Sequence, residues 1–191
     1  MIRSIALLLA SLCAHSCFAV EISAPAAAPE RTGMTWGVSP AEVPTGVVLV
    51  GCHGLPKTAA GSCDAYVGDT TCSTALPVLC VNIDKRAKPG DLATGFYAGW
   101  LGGEIALAPP VRGDTFADRT AADAWCSGHF GAGWRMGEHH DRSSGAGGWA
   151  FYGMGAGIGE KLGRTRFWTA INDTAGNCWN KKSPTTNVGI R

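Results

Sequence analysis

The chain has 191 residues, 46% hydrophobic and 16% charged, with a formal net charge of +1. That length and apolar content suit one domain with its own core. The near-neutral charge, with Lys and Arg scattered, excludes the basic footprint of a nucleic-acid binder or an anionic-membrane binder.

The first residues, MIRSIALLLASLCAHSCFA, combine a basic Arg3, an apolar run from Ile5 to Leu12 and a small-residue site ending at Ala19. This is the three-part pattern of a secretory signal peptide over residues 1–19, and it predicts a secreted or periplasmic protein. The apolar run is shorter than the ~20 residues a bilayer requires and nothing later approaches that length, so no membrane span is expected. Behind the leader stand Cys52, Cys63, Cys72, Cys80, Cys126 and Cys178. An even number in an exported chain points to disulfides, with about fifteen pairings open. Zinc-ribbon spacing is missing, because no Cys-x-x-Cys occurs.

Residues 20–44 form an N-terminal segment that starts rich in Ala and Pro, and 45–191 read as a single disulfide-bonded domain. Gly46 to Cys52 is a β-branched run closed by glycine, a buried strand. Cys52 to Cys80 is rich in Gly and Pro and is expected to be loops held by cross-links, leading into a second buried strand, Leu76 to Ile83. Phe96–Trp100, Gly102, Gly103 and Glu104–Ala108 read as a hairpin stopped by Pro109 and Pro110.

The most informative stretch is Thr115 to Asp141. Two overlapping capping boxes, Thr115 with Asp118 and Thr120 with Asp123, predict a helix start. Ala122, Trp125, Cys126, His129 and Phe130 then recur at helical spacing, which places them on one buried stripe, His129 as a core histidine. Gly131 and Gly133 end the helix, and Trp134-Arg135-Met136 resumes as a strand. Residues 143–163 are expected to form a long glycine-rich loop presenting Trp149, Phe151 and Tyr152. Arg166–Ile171 alternates as a strand, followed by a polar turn over Asn172–Asn180.

The helix with Ala122 and Cys126, the Gly-Trp-Arg-Met motif at 133–136, the glycine-rich loop, Phe167-Trp168-Thr169 and the late Cys178 together resemble bacterial domains of the C-type-lectin-like superfamily. The resemblance covers about half of the exported chain. It implies an α+β fold, a small mixed sheet with a packed helix, a long loop region and disulfides. It also implies a Cys126–Cys178 bond, with Cys72–Cys80 and Cys52–Cys63 as the accompanying pairs. The calcium triplet of the lectins is absent, and of the second calcium motif only Asn172 and Asp173 remain, with Ile171 in place of its tryptophan.

Glu138, His140 and Asp141 stand in the densest set of metal-competent groups, and a divalent cation would take those three; no other cofactor is indicated. The competing reading is a polar turn whose carboxylates cap backbone groups and pair with Arg135 or Arg142. The Gly153–Gly159 series lacks the strand and helix of a dinucleotide site. The expected ligand-binding set is Arg135, Glu138, His140, Asp141, Trp149, Asn172 and Asp173, with Asp141 and Asp173 converging. The expected function is recognition of a carbohydrate or protein surface through the loops; a metal-dependent hydrolase and a structural envelope protein are the alternatives.

Overall fold

A computed structural model describes residues 30–55, 63–141, 148–155 and 165–180. The signal-peptide segment and much of the glycine-rich stretch, residues 142–147 and 156–164, lie outside the described residues.

The β-branched and aromatic runs become strands: β1 (Thr32–Gly33), β2 (Thr35–Val38), β3 (Val47–Gly51), β4 (Thr70–Thr71), β5 (Ala75–Ile83) and β6 (Ala98–Arg112). After them come helix α1 (Arg119–Phe130) and strands β7 (Arg135–Met136), β8 (Ala150–Gly155) and β9 (Phe167–Trp168). The strand order β6-β8-β3-β2-β9-β5 returns to β6 through the long β5–β6 antiparallel pair, so six strands close into a barrel. Closure removes both sheet edges, leaving β7 as an addition on β5.

The α+β, lectin-like expectation is therefore overturned: the described residues are mostly β, with one α-helix outside a closed barrel. Three local differences produce that result. First, β6 is one strand of 15 residues, not a hairpin stopped at Pro109. Gly102, at φ 75°, and a register shift between Trp100 and Glu104 take up a bend without reversing the chain. Pro109 and Pro110 lie opposite Pro77 where the β5–β6 register shifts, a place where a missing N–H disturbs no regular ladder. Second, residues 150–155 are strand β8, antiparallel to β3 and parallel to β6, where loop was expected. Third, β2 comes from the segment read as preceding the domain; its Trp36, with neighbouring Met34, is buried in the core.

Alternation along each strand sorts the side chains into layers. Trp36, Val50, Leu79, Val81, Ile105 and Phe151 fill the barrel. Val78 and Cys80, on the opposite face of β5, pack with Ala122, Cys126, Phe116 and Met136 beneath α1. This explains why β5 reads as a continuous apolar run, since both of its faces are covered. Each large apolar side chain buried this way contributes roughly 1.5–3 kcal/mol.

Helix α1 begins where Asp118 accepts from Ala121 N at 2.9 Å, so an acid of the predicted boxes is itself the cap. Asp123 is turned outward from its box to accept from Arg119 and from Met136 N at 2.9 Å, which ties β7 to the helix. The helix ends as expected at Gly131, whose φ of 98° suits glycine and whose N–H reaches Ser127 O. His129 is exposed and takes no part in the core, contrary to the stripe reading; its ring packs on half-buried Trp125.

Among the described residues three disulfides are present: Cys52–Cys63, Cys72–Cys178 and Cys80–Cys126. The first is as expected, and the other two correct the Cys126–Cys178 and Cys72–Cys80 pairs. Cys126 faces the outer side of β5, where Cys80 points, while Cys178 lies beneath Gly33 and Gly113 beside Cys72.

Candidate functional site

The predicted polar cluster sits where two strands diverge. β5 and β9 pair at Val78 and Trp168, and beyond that point residues 136–139 wedge between them. Met136 pairs with Cys80, Gly137 N donates to Leu79 O, Ala170 N to Gly137 O, and His139 N to Ala170 O. Glu138 and His139 are thus fixed by backbone pairing on both sides and are buried, at 5% and 4% exposure.

Glu138 organises the turn that leads away from this wedge. Its Oε2 accepts from His140 N at 2.7 Å, and its Oε1 accepts from His140 Nδ1 and from Asn172 N, both at 3.1 Å. Asp141 closes the turn back to Glu138 O and accepts from Glu138 N at 2.7 Å. Arg135 grips the same carboxylate with both terminal nitrogens, at 2.7 and 2.6 Å. Against its own desolvation, that pair holds the Arg135 guanidinium above its ordinary range. The expected pairing of Arg135 with one of the acids is present. Asp141 is spent on it, however, and does not reach the adjoining pocket.

The pocket has a volume of about 170 Å³, and its lining includes Tyr66, His139, His140, Trp149, Ile171 and Asp173. Asn177 shapes one rim by accepting from Ile171 N and donating to Ile171 O, as a strand partner would. Thr174 fastens that rim to the opposite one by donating to Ala65 O. Gly148 must be glycine because a Cβ there would come within 2.3 Å of His139 O. That close approach brings Trp149 edge-on to His139, with ring centroids 5.1 Å apart. His53 stacks on Trp149 almost parallel, at 5.5 Å and 8°. Burial, first, and the neighbouring His140 push His139 down to about 4, so its ring is neutral at pH 7. Its Nδ1 is buried without a hydrogen-bond partner.

Of the residues expected in the site, His140, Trp149 and Asp173 line the pocket, while Glu138 and Asn172 do not and are joined to each other by the Asn172 N–Glu138 hydrogen bond beside it. Arg135 and Asp141 brace it from behind. The metal reading loses its donors, because both oxygens of Glu138 and of Asp141 already accept N–H groups. Among the described residues no three His, Cys, Asp or Glu groups are placed to hold an ion. Sequence reasoning missed His139, Tyr66 and His53. For Tyr66 a signal existed: Asp64 accepts from both Tyr66 N and Val67 N, an Asx turn that the sequence Cys-Asp-Ala-Tyr allows. For His53 none did.

Arg166 was also missed. It is 6% exposed and donates to Thr35 Oγ1 and O, Cys52 O and Gly54 O, which pins the His53 turn to β2. Burial holds its guanidinium below its ordinary range.

No family model, curated protein or solved structure matches the chain.

Proposed function

We propose that the chain is an exported binding protein that recognises an exposed group on a carbohydrate or protein surface, and that the pocket beside Trp149 is where it does so. The observation that carries this reading is the convergence of Tyr66, His139, His140, Trp149 and Asp173 from four separated stretches on one concavity. Aromatic faces beside a carboxylate match groups that are apolar on one side and polar on the other. At about 170 Å³ the pocket admits a single small unit, well below the volume a cofactor needs. Export is supported by the leader pattern and by three disulfides, which persist in oxidising compartments. Among the described residues no helix is long and apolar enough to cross a membrane. Metal-dependent hydrolysis is less well supported, since the carboxylates it would use are already engaged.

The test is a glycan array and a peptide array probed with the disulfide-bonded chain and with a double variant, Trp149→Ala with Asp173→Asn. Hits that vanish in the variant are expected. Hits that persist unchanged, or no hits on either array, would reject the reading. Sequencing the N-terminus of the exported product checks cleavage after Ala19.

A further inference from the structure

The charges around the pocket select among ligands. Asp173 is its exposed carboxylate, 64% accessible at the side chain, and its near polar neighbour is His140 Nε2 at 3.7 Å, beyond hydrogen-bond length. The Asp173 lone pairs therefore remain available to a ligand. Behind His140 lies the buried Glu138 carboxylate, which accepts from His140 N and Nδ1 and from Asn172 N. Among the described residues no Lys or Arg lines the pocket. The nearby guanidinium of Arg135 is committed to Asp141. An anion brought here would meet the Asp173 carboxylate and no Lys or Arg side chain.

The aromatic groups add a second preference. The Trp149 ring is held by parallel contact with His53 and edge contact with His139, and Tyr66 stands at the rim, 65% exposed. Ring faces carry negative quadrupole charge and attract cations, the more so where water is partly excluded. His139 contributes a neutral ring with its Nδ1 unpartnered, so it adds no repulsion. A carboxylate and two electron-rich rings around a small volume suit a compact organic cation better than a neutral group of the same size.

We propose that this pocket binds an aliphatic ammonium group, set against the Asp173 carboxylate and the Trp149 and Tyr66 rings. This rests on the proposed surface-binding function and names the determinant it reads: an amine carried on a sugar or on a side chain.

The experiment is saturation-transfer NMR on the disulfide-bonded chain at pH 7 with matched pairs of probes. These are glucosamine against glucose, Nα-acetyl-lysine amide against its Nε-acetylated form, and choline. Amine probes are expected to bind and their neutral partners to bind at least about tenfold more weakly. Asp173→Asn and Trp149→Leu should each weaken the amine probes about tenfold, while the amide NMR spectrum stays folded. Which amine binds best tells a sugar-borne from a side-chain-borne source, and choline shows whether a donated hydrogen bond is needed. Equal binding of glucose and glucosamine, or amine binding indifferent to both substitutions, would overturn the ammonium proposal. So would array hits lost in the double variant that carry no amine, and in that case the binding function itself stands. Failure of every probe alongside empty arrays would overturn both.

Discussion

The outer face of β5 and the edge where it parts from β9 are covered in different ways. Under α1, the wall is apolar and covalent: Val78, Cys80, Ala122 and Cys126 pack together, Cys80 is bonded to Cys126, and Cys72 is bonded to Cys178 nearby. At the other wall, where residues 136–141 wedge between β5 and β9, cohesion comes from hydrogen bonds among Glu138, Asp141, Arg135 and Asn172, and from a neutral histidine between two tryptophans. The first wall needs no particular pH and presents nothing polar. The second depends on protonation states and leaves Asp173 exposed and Trp149 half-buried. A binding site belongs on the second, because its polar groups gain partners when a ligand arrives, while the first has none to offer.

Removing covalent links should separate the walls most strongly. In the chain-entropy model, replacing Cys72 and Cys178 by Ala costs about 5 kcal/mol, Cys80 with Cys126 about 4, and Cys52 with Cys63 about 3. The closed segments span 106, 46 and 11 residues in that order. Urea unfolding should reproduce the ranking. A reversed order would mean that the short bond, next to the Arg166 network, holds the structure more than the helix wall does.

Acid should act on the pocket wall. His139 has a folded value of about 4 against an ordinary 6.5, depressed by burial. A depressed value means that the neutral ring stabilises the fold fully above pH 6.5. That contribution is lost as pH falls from 6.5 through 4, because the unfolded chain takes up the proton first. The total is on the order of 3 kcal/mol. His139→Phe should remove this dependence, so that the stability difference between variant and parent shifts in favour of the variant between pH 7 and 4. Parallel curves would place the acid sensitivity elsewhere.

Asp141→Ala should cost about 2 kcal/mol, since it strips the half-buried Arg135 of its partner and leaves Glu138 N unsatisfied. Binding by the folded fraction should hardly change, because Asp141 faces Arg135 and does not line the pocket. A loss of affinity with an unchanged melting temperature would reverse that assignment. The smallest effect is expected at Arg112, whose exposed pair with Asp114 lies outside both walls; Arg112→Ala should leave the thermal midpoint within error.

Local pattern determined a definite part of this molecule. Val47–Gly51 and Ala75–Ile83 are strands because β-branched runs bounded by turn residues have few other stable conformations. Arg119–Phe130 is a helix with Asp118 before it and Gly131 after it, signals that act within one turn. The polar character of 138–141 and the use of the cysteines in disulfides were equally legible. What tertiary structure alone decided was which edges meet. Strand β2 inserts between β3 and β9, and β6 continues past its prolines to close on β5; these pairings join residues far apart in sequence, and no periodicity encodes them. Closure then chose Cys80 over Cys178 as the partner of Cys126, since a disulfide forms between side chains on the same face within reach. It also made His139 the buried histidine and His140 the exposed one. Neighbouring residues on an extended segment point to opposite sides, and only the packed neighbours, Trp36 and Trp149, settle which side is inside.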